Sequence, residues 1–184
     1  MCTPLNEYRD YLTKLVKEKS PLLFSNGGKE YASILMSILL KNTSKSICMF
    51  CEGFKPDLIT ETDYWEALSE YLTHTERTLR VLVNSNAYVD KEPLKTLFAK
   101  QAERNNDDTI QIRLITEEGR KDIMGQFNGA LNNFAVFDDD MYRLEYEPSE
   151  YKAFGSFNNP EDAKLLLELF NKVFEKSEQL NGAA

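Results

Sequence analysis

Apolar residues recur at every third or fourth position in several parts of the chain, as expected for helices that bury one face. The first such segment predicts a helix over residues 1–20, and a predicted turn at residues 25–28 precedes the second. The periodic stretches lie at residues 5–16, 31–39, 65–72, 94–102 and 165–174, and a shorter helix is expected after Thr116. The fourth stretch belongs to a helix expected from residue 90 to residue 103. Six helices are therefore predicted.

Two of these helices begin with residues that can cap a helix. Thr62 or Asp63 can cap the third helix with a side-chain oxygen. Asn159 is expected to cap the last one, because Pro160 follows at the first helical position, where a missing N–H costs nothing. The two acids after Pro160 also suit the positive end of the helix dipole.

Short runs rich in β-branched and aromatic residues predict strands between the helices. They lie at residues 45–51, 78–83, 109–115, 134–137, 142–146 and 152–157. The three aspartates at 138–140 separate the fourth run from the fifth and predict a hairpin turn. Strands and helices alternate early and strands cluster late, so the expected fold class is α/β, with a mixed sheet flanked by helices on both faces.

The length and the charge of the chain restrict its organisation and its partners. A chain of 184 residues is expected to form one domain over residues 1–184, with a frayed tail at 181–184. Its net charge of -8 makes binding to nucleic acid or to an anionic membrane unfavourable. The longest apolar cluster, at residues 34–40, is too short to span a bilayer, and a cytoplasmic location is expected.

Cys48 and Cys51 have the spacing of a redox centre or of half a zinc site. Only Cys2 and His74 remain as further soft ligands, so a structural zinc site with four such ligands is difficult to assemble. The pair also falls in a predicted strand, where residues three apart point to opposite faces. We therefore interpret both cysteines as buried strand residues.

The order of the predicted elements resembles one repeat of the phospholipase D superfamily. The similarity is strongest where an apolar strand leads into Asp138 and where residues 155–158, Gly-Ser-Phe-Asn, match the Gly-Ser-x-Asn element beside that family's active site. Residues 45–47 and 79–83 are similar to two earlier strands of the repeat. The resemblance implies a phospholipase D-like fold.

The residues that carry this family's catalysis are missing. Its signature is His-x-Lys-x4-Asp, in which the imidazole attacks phosphorus and the Lys binds the phosphate oxygens. With Asp138 as the aspartate, Leu131 and Asn133 occupy the places of the His and the Lys, and the registers set by the next two aspartates fail as well. His74, the only histidine, follows the third helix without a Lys two positions on. The resemblance therefore implies a catalytically inactive domain.

An inactive domain of this kind would act by binding. Two repeats meet at the active-site side in the family, so the resemblance implies a homodimer or a complex with another protein. The former active-site cleft is expected to hold Asn133, Asp138, Ser156 and Asn158, whose polar groups could retain a ligand without cleaving it. No cofactor is expected under this hypothesis.

A second hypothesis is a metal-dependent phosphodiesterase or nuclease. Such enzymes hold Mg²⁺ with an Asp from one strand and a Glu from the next, while a Lys two residues after the Glu assists the attacking water. Asp138 or Asp140, followed by Glu150 and Lys152, has this form. The hypothesis requires the carboxylates to lie within about 5 Å of a shared position.

Further charged residues lie on the strand predicted at 142–146. Arg143 and Glu145 fall on one face of that strand, because they are two positions apart. We interpret them as an ion pair on the sheet rather than as part of a catalytic site.

Overall fold

The computed structural model describes residues 3–104 and 108–181, and within these ranges helices and strands alternate along the chain. The helices are α1 (Pro4–Lys17), α2 (Lys29–Lys41), α3 (Pro56–Ile59), α4 (Thr62–Tyr71), α5 (Leu94–Glu103), α6 (Glu117–Gln126) and α7 (Pro160–Glu175). The strands are β1 (Leu23–Asn26), β2 (Ser46–Cys51), β3 (Thr78–Val83), β4 (Ile110–Leu114), β5 (Asn133–Phe137), β6 (Met141–Glu147), β7 (Lys152–Ser156) and β8 (Glu178–Gln179). Cys2 and residues 182–184 of the expected tail lie outside the described residues.

The long predicted elements are confirmed. β3 covers the predicted residues 78–83, and the hairpin of β5 and β6 turns at residues 138–140. α7 begins as expected, because the side chain of Asn159 accepts a hydrogen bond from the N–H of Asp162 at 3.1 Å and Pro160 takes the first helical position. Local side-chain chemistry is therefore sufficient to fix this helix start.

The predicted turn at residues 25–28 is wrong in its first half. Leu23–Asn26 form β1, which pairs antiparallel with β7, and the chain turns only at Gly27 and Gly28. Gly28 has a φ of 90°, a value that favours glycine. Ser25 and Asn26 are frequent in turns, but here the backbone of a distant strand supplies their hydrogen bonds.

Two helix starts also differ from prediction. Neither Thr62 nor Asp63 caps α4, whose N-cap position is Glu61, without a side-chain hydrogen bond. α5 begins at Leu94 rather than at residue 90, directly after Pro93. The residue before a proline is disfavoured in helical conformation, which explains the later start.

One sheet contains the described strands in the order β1-β7-β6-β5-β2-β3-β4-β8. β2, β3 and β4 are parallel, whereas β5 is antiparallel to β2, and β6, β7 and β1 continue with alternating direction. The predicted mixed sheet is confirmed. β2, β3 and β4 therefore finish at the end of the sheet where β5 begins and β6 finishes. We call this the carboxyl end of the sheet and the opposite one the amino end.

The parallel side of the sheet is completed by β8, which was not predicted. It pairs antiparallel with residues 113 and 114 of β4, and the N–H of Leu180 donates to the carbonyl of Ile112 at 2.9 Å. Two residues are too few to give a recognisable pattern in the sequence.

Helices cover both faces of the sheet, as predicted. α1 to α5 contribute to the core on one face, where Leu35, Leu39 and Leu68 are buried. α6 and α7 contribute to the core on the other face, where Phe170 and Val173 are fully buried. Among the described residues, no helix is both long enough and apolar enough to cross a membrane.

Cys48 and Cys51 point to opposite faces of β2, as the alternation of a strand predicts. Cys48 lies in the core beneath α7, where its Sγ accepts a hydrogen bond from Nη2 of Arg80 at 3.1 Å. Cys51 packs against the opposite core. The two thiols therefore do not form a joint site.

Candidate functional site

A cavity of about 70 Å³ lies at the carboxyl end of the sheet, between α2, α3 and α4 on one side and β2, β5 and β6 on the other. Most of its wall is apolar. Its lining includes Met36, Met49, Phe54, Leu58, Ile59, Tyr64, Phe134 and Pro148, together with the polar side chains of Cys51, Glu52, Lys55, Asn133, Arg143, Glu145 and Tyr151. An apolar pocket with a few convergent polar groups is the usual form of a small-molecule site.

A second recess of about 210 Å³ adjoins this cavity. It is lined by Phe50, Glu52, Asn84, Leu131, Asn133 and Pro148, four of which also line the cavity. We call the cavity and the recess together the cleft. Asn133, at the first position of β5, stands between its two parts.

A buried ion pair forms the polar side of the cleft. Nη2 of Arg143 lies 2.8 Å from Oε1 of Glu145, and the two side chains are 8% and 6% exposed. The second carboxylate oxygen, Oε2 of Glu145, accepts a hydrogen bond from the side-chain amide of Asn133 at 2.6 Å. The predicted pairing on one strand face is thus confirmed, but the pair is buried rather than exposed at the sheet surface.

The guanidinium of Arg143 is held from other sides as well. Its Nε donates to Oδ1 of Asn26 at 3.4 Å, and its Nη2 also reaches the carbonyl of Tyr151 at 3.5 Å. The side-chain amide of Asn26 donates to the same carbonyl at 2.5 Å. Tyr151 has a φ of 55°, and its hydroxyl donates to Asp57 at the start of α3. These contacts fix the cleft from β1, β6, the β6–β7 turn and α3 together.

Burial suppresses ionisation of the Cys51 thiol and of the Tyr64 hydroxyl in the cavity. Burial raises the pKa of the Cys51 thiol to about 12, and the nearby carboxylates of Glu145 and Glu52 raise it further, against hydrogen bonds from the backbone of Phe54 and Gly53. Burial likewise raises the pKa of Tyr64. Both groups are therefore protonated near neutral pH, and neither is an activated nucleophile there.

The four residues predicted to share a cleft do not lie together, which corrects that prediction. Asn133 lies in the cleft, but Asp138 follows the other end of β5, about 17 Å away along the strand. The carboxylate of Asp138 accepts hydrogen bonds from the N–H and hydroxyl of Ser44 at 2.9 and 3.0 Å, and from the N–H groups of Lys45 and Ser46 at 2.8 and 3.0 Å. Asp138 thus fastens the start of β2 to the end of β5.

The pKa of Asp138 reflects these contacts. Burial alone would raise it, but the hydrogen bonds from Ser44, Ser46 and Lys45 outweigh burial and hold the pKa below its ordinary value. The ionised carboxylate is therefore the stable form in this position, and its acceptor sites are used by the fold.

Ser156 and Asn158 also lie at the amino end, away from the cleft. Ser156 is fully buried, and its Oγ accepts a hydrogen bond from the N–H of Asn158 at 3.2 Å. The side-chain amide of Asn158 donates to the carbonyl of Lys19 at 2.6 Å. A Cβ on Gly155 would lie 2.0 Å from the carbonyl oxygen of Tyr142, so the glycine serves the close packing of two strands. The Gly-Ser-x-Asn match therefore has structural roles here.

The metal-site hypothesis is wrong in its geometry. Asp138 and Asp140 lie in the turn before β6, and Glu150 lies in the turn after it, so the length of β6, about 20 Å, separates them. Nζ of Lys152 is 2.5 Å from the carboxylate of Glu150 and 3.0 Å from that of Glu147. Over residues 3–104 and 108–181, no group of three or more His, Cys, Asp or Glu side chains is arranged to hold a metal ion.

His74 lies on the surface after α4, with its side chain 42% exposed. It precedes β3 at the amino end of the sheet, and its Nδ1 is 3.4 Å from a carboxylate oxygen of Glu76. The only imidazole of the chain is therefore remote from the cleft.

Sequence reasoning missed several residues of the cleft. The sequence gives Cys51, Tyr64 and Tyr151 no role in a site, and it predicts a turn at Asn26, which accepts a hydrogen bond from the cleft residue Arg143. The signal that was available is the spacing of Arg143 and Glu145, two opposite charges on one face of a largely apolar strand. Such a pair indicates a buried polar site once the strand is known to be covered by helices on that face.

No protein-family model matches this chain, and a comparison with curated proteins finds no significant match. Solved structures do match. Nuc, a phospholipase D family member from Salmonella typhimurium, superposes with a TM-score of 0.57 and 13% identity over 88% of this chain and 100% of that chain. Phosphatidylserine synthase from Haemophilus influenzae gives a TM-score of 0.58 and 10% identity over 86% of this chain and 39% of that chain.

TrmBL2, described as an archaeal chromatin protein with a novel mode of DNA binding, gives a TM-score of 0.54 and 15% identity over 96% of this chain and 64% of that chain. This chain therefore spans less than two thirds of TrmBL2 and of the synthase. At such identities the matches show the fold alone. The chain has a phospholipase D-like α/β fold.

Proposed function

We propose that the chain is a catalytically inactive phospholipase D-like domain that works by binding at the cleft, as a homodimer or with another protein. One observation carries this proposal. Leu131 and Asn133, which stand where the resemblance implies the catalytic His and Lys, both line the recess of the cleft. The place of the chemistry is retained, but its nucleophile is replaced by an alkyl side chain, which cannot attack phosphorus.

The charges of the cleft support binding of something other than a phosphodiester. Arg143 is neutralised by Glu145, and Nζ of Lys55 lies 2.6 Å from the carboxylate of Glu52. Anion recognition depends on positive charge that is not already paired. The ligand of this cleft is therefore held by hydrogen bonds and apolar contacts.

The cleft is also prepared to hold a ligand without rearrangement. Arg143 lines the cavity, and its Nη1 donates to no residue that the structure describes. The surrounding network fixes the direction of this donor, which reduces the entropy lost on binding. A ligand with one acceptor and a small apolar part suits this arrangement.

The similar structures include a phosphatidylserine synthase and a chromatin protein, so this fold occurs in proteins named for catalysis and in proteins named for binding. Membership of the fold therefore leaves both roles open, and the residues in the cleft decide between them. Here they favour binding.

The inactivity is tested with bis(p-nitrophenyl) phosphate as substrate, across pH 5–9 and with and without Mg²⁺. We expect no release of nitrophenol above the buffer rate. Hydrolysis that is lost in the His74→Ala variant or in the Asn133→Ala variant would overturn the proposal. Lys164→Ala, on the exposed face of α7, is the matched control.

The homodimer is tested by size-exclusion chromatography with light scattering. We expect the mass of two chains, and we expect Leu131→Arg to shift the protein toward the monomer, because the paired face lies at the carboxyl end. Leu165→Arg is the control, since Leu165 is 59% exposed on α7. A wild-type monomer at all concentrations would remove the homodimer and leave the partner as another protein.

A further inference from the structure

A groove of about 400 Å³ runs between α1 and α2, away from the cleft. α1 leads into β1 and α2 leads into β2, so both helices finish near the amino end of the sheet. The volume lies in the range of small-molecule pockets. We call this feature the α1–α2 groove, and its wall includes Arg9, Val16 and Lys17 of α1 and Ser37, Ile38 and Lys41 of α2.

The charge of the groove is opposite to that of the chain. The net charge of the protein is -8, yet three cationic side chains and no carboxylate line the groove. Arg9 is paired at the rim with Asp63 at 2.7 Å. Lys17 and Lys41 line the groove from different helices, and neither forms an ion pair with another residue in the described part of the chain.

The helix dipoles do not account for the whole arrangement. Lysines are common in last turns because they interact with free carbonyls. Here the last carbonyls of α2 already accept hydrogen bonds from the amide groups of Asn42 and from the hydroxyl of Thr43. Lys14, in the last turn of α1, has Glu18 within 3.9 Å. Lys17 and Lys41 instead border an open volume.

Ser37 provides an independent indication of a ligand. It is 0% exposed and lines the groove, and its hydroxyl has no hydrogen-bond partner among the described residues. A serine within a helix can donate to the carbonyl four residues earlier, and this one does not. An unpaired buried hydroxyl is costly, and an acceptor entering the groove would remove that cost. Val16 and Ile38 add an apolar surface beside it.

We propose that the α1–α2 groove binds a small organic oxyanion, a molecule that carries a phosphate or a carboxylate on an apolar body. The anion lies between Lys17 and Lys41 and accepts a hydrogen bond from Ser37. The apolar body packs on Val16 and Ile38. This site is separate from the cleft, so the proposal stands or falls independently of the proposed function.

The charge requirement is tested by calorimetry on the full chain at an ionic strength of about 0.1 M, where the Debye length is about 10 Å, with phenyl phosphate and benzoate as probes. We expect at least one probe to bind, and the tighter one identifies the anionic group. The Lys17→Gln, Lys41→Gln double variant is expected to bind about tenfold more weakly or worse. The control is Lys14→Gln with Lys164→Gln, two exposed lysines whose loss changes the net charge equally.

We expect the control to bind within about twofold of wild type, because long-range charge is screened by salt. Equal losses in the two double variants, or no binding of either probe to wild type, would overturn the proposal. Thermal denaturation of every variant confirms that it is folded.

Ser37→Ala gives a second, independent readout. If Ser37 serves a ligand, the free variant keeps or raises its melting temperature, because a buried unpaired hydroxyl is removed, while the probe binds severalfold more weakly. A lowered melting temperature with unchanged probe affinity would show a purely structural hydroxyl and would contradict the proposal.

Discussion

Two carboxylates at opposite ends of the sheet show how differently one chemical group is used in this fold. At the amino end, the carboxylate of Asp138 accepts hydrogen bonds from the backbone N–H groups of residues 44–46 and from the hydroxyl of Ser44. Glu145, at the carboxyl end, is bound by Arg143 and Asn133 beside an open cavity. The hydrogen bonds of Asp138 join two strands, whereas those of Glu145 have a different role. The hydrogen bonds of Glu145 hold polar groups in fixed positions around a space that a ligand can enter.

The residues that resemble the family pattern are therefore mostly different from the residues that form the cleft. The residues that match a known sequence pattern, Asp138, Gly155, Ser156 and Asn158, all lie at the amino end, where their contacts stabilise the fold. Apart from Leu131 and Asn133, the cleft is built from residues that the family pattern does not identify. A short motif can therefore mark a fold correctly and still misplace its site.

The largest expected effect is at the carboxyl end. Arg143→Ala leaves the carboxylate of Glu145 buried without its charged partner, so we expect a loss of about 3–5 kcal/mol in the free energy of unfolding, measured by urea denaturation. Lys152→Ala is the control, because it removes an exposed cation at the same end and should cost less than about 1 kcal/mol. If both variants lost the same free energy of unfolding, burial of the Arg143–Glu145 pair would not add to the cost of breaking it.

A second variant sharpens this result. Arg143→Met combined with Glu145→Leu removes both charges and keeps most of the volume, so it should recover most of the stability lost in Arg143→Ala. The pair would then be retained for the cleft rather than for stability. A double variant as unstable as Arg143→Ala would contradict that interpretation.

At the amino end, Gly155→Ala tests whether the matched motif is structural. The new Cβ would lie 2.0 Å from the carbonyl of Tyr142 and 2.7 Å from the ring of Phe24, and we expect a loss of about 3 kcal/mol in the free energy of unfolding. Gly125→Ala in α6 is the matched control, since nothing lies within 4 Å of its added Cβ. It should be neutral or stabilise the protein by about 0.5–1 kcal/mol.

The hairpin turn offers a pair of substitutions with opposite signs. Asp138→Asn should lower the stability at pH 7 by about 2 kcal/mol, because an amide replaces a carboxylate that accepts four hydrogen bonds. Asp140→Asn should raise it slightly, because burial and the charges of Asp139 and Asp138 raise the pKa of Asp140 and disfavour its ionised form.

The pH dependence has a defined direction. The pKa of Asp138 is lower in the folded protein than in the unfolded chain, so its contribution is complete above the unfolded value and is lost as the pH falls through about 4 and below. The stability difference between wild type and Asp138→Asn should therefore shrink in acid, as measured by urea denaturation from pH 7 to pH 3. A difference independent of pH would contradict the structural role of the ionised group.

The smallest loss of stability, control variants apart, is expected for Asn133→Ala. It removes one hydrogen bond to Glu145 and should cost about 1 kcal/mol in thermal denaturation. Glu52→Ala, an exposed residue that also lines the cleft, should cost about 0.5 kcal/mol or less. If Glu52→Ala lost more stability than Asn133→Ala, the hydrogen bond between Asn133 and Glu145 would not be an important contact of the cleft.

The sequence predicts those parts of the fold that local chemistry decides. β3 is a short run of largely apolar residues, and α7 begins with a cap and a proline, so neither needs information from elsewhere in the chain. β1 is missed because its hydrogen bonds come from β7, more than a hundred residues later in the sequence. Ser25 and Asn26 alone favour a turn.

The cleft is predictable only in part, for the same reason. Leu131 and Asn133 are identified in the sequence as the replacements for the catalytic pair, and both do line the cleft. The expected partners of Asn133 are misplaced because β6 lies between Asp138 and Gly155 and reverses the chain once more. The order of strands in the sheet, which no local pattern specifies, decides which polar residues meet.

The short pairing of β8 with β4 has a consequence for handling the protein. An uncovered strand edge is a template for association with other chains, and β8 occupies that edge with a glutamate and a glutamine. A truncation before residue 178 would leave the backbone groups of β4 open to neighbouring molecules. Aggregation in concentrated samples, rather than unfolding, is the failure to expect from such a truncated protein.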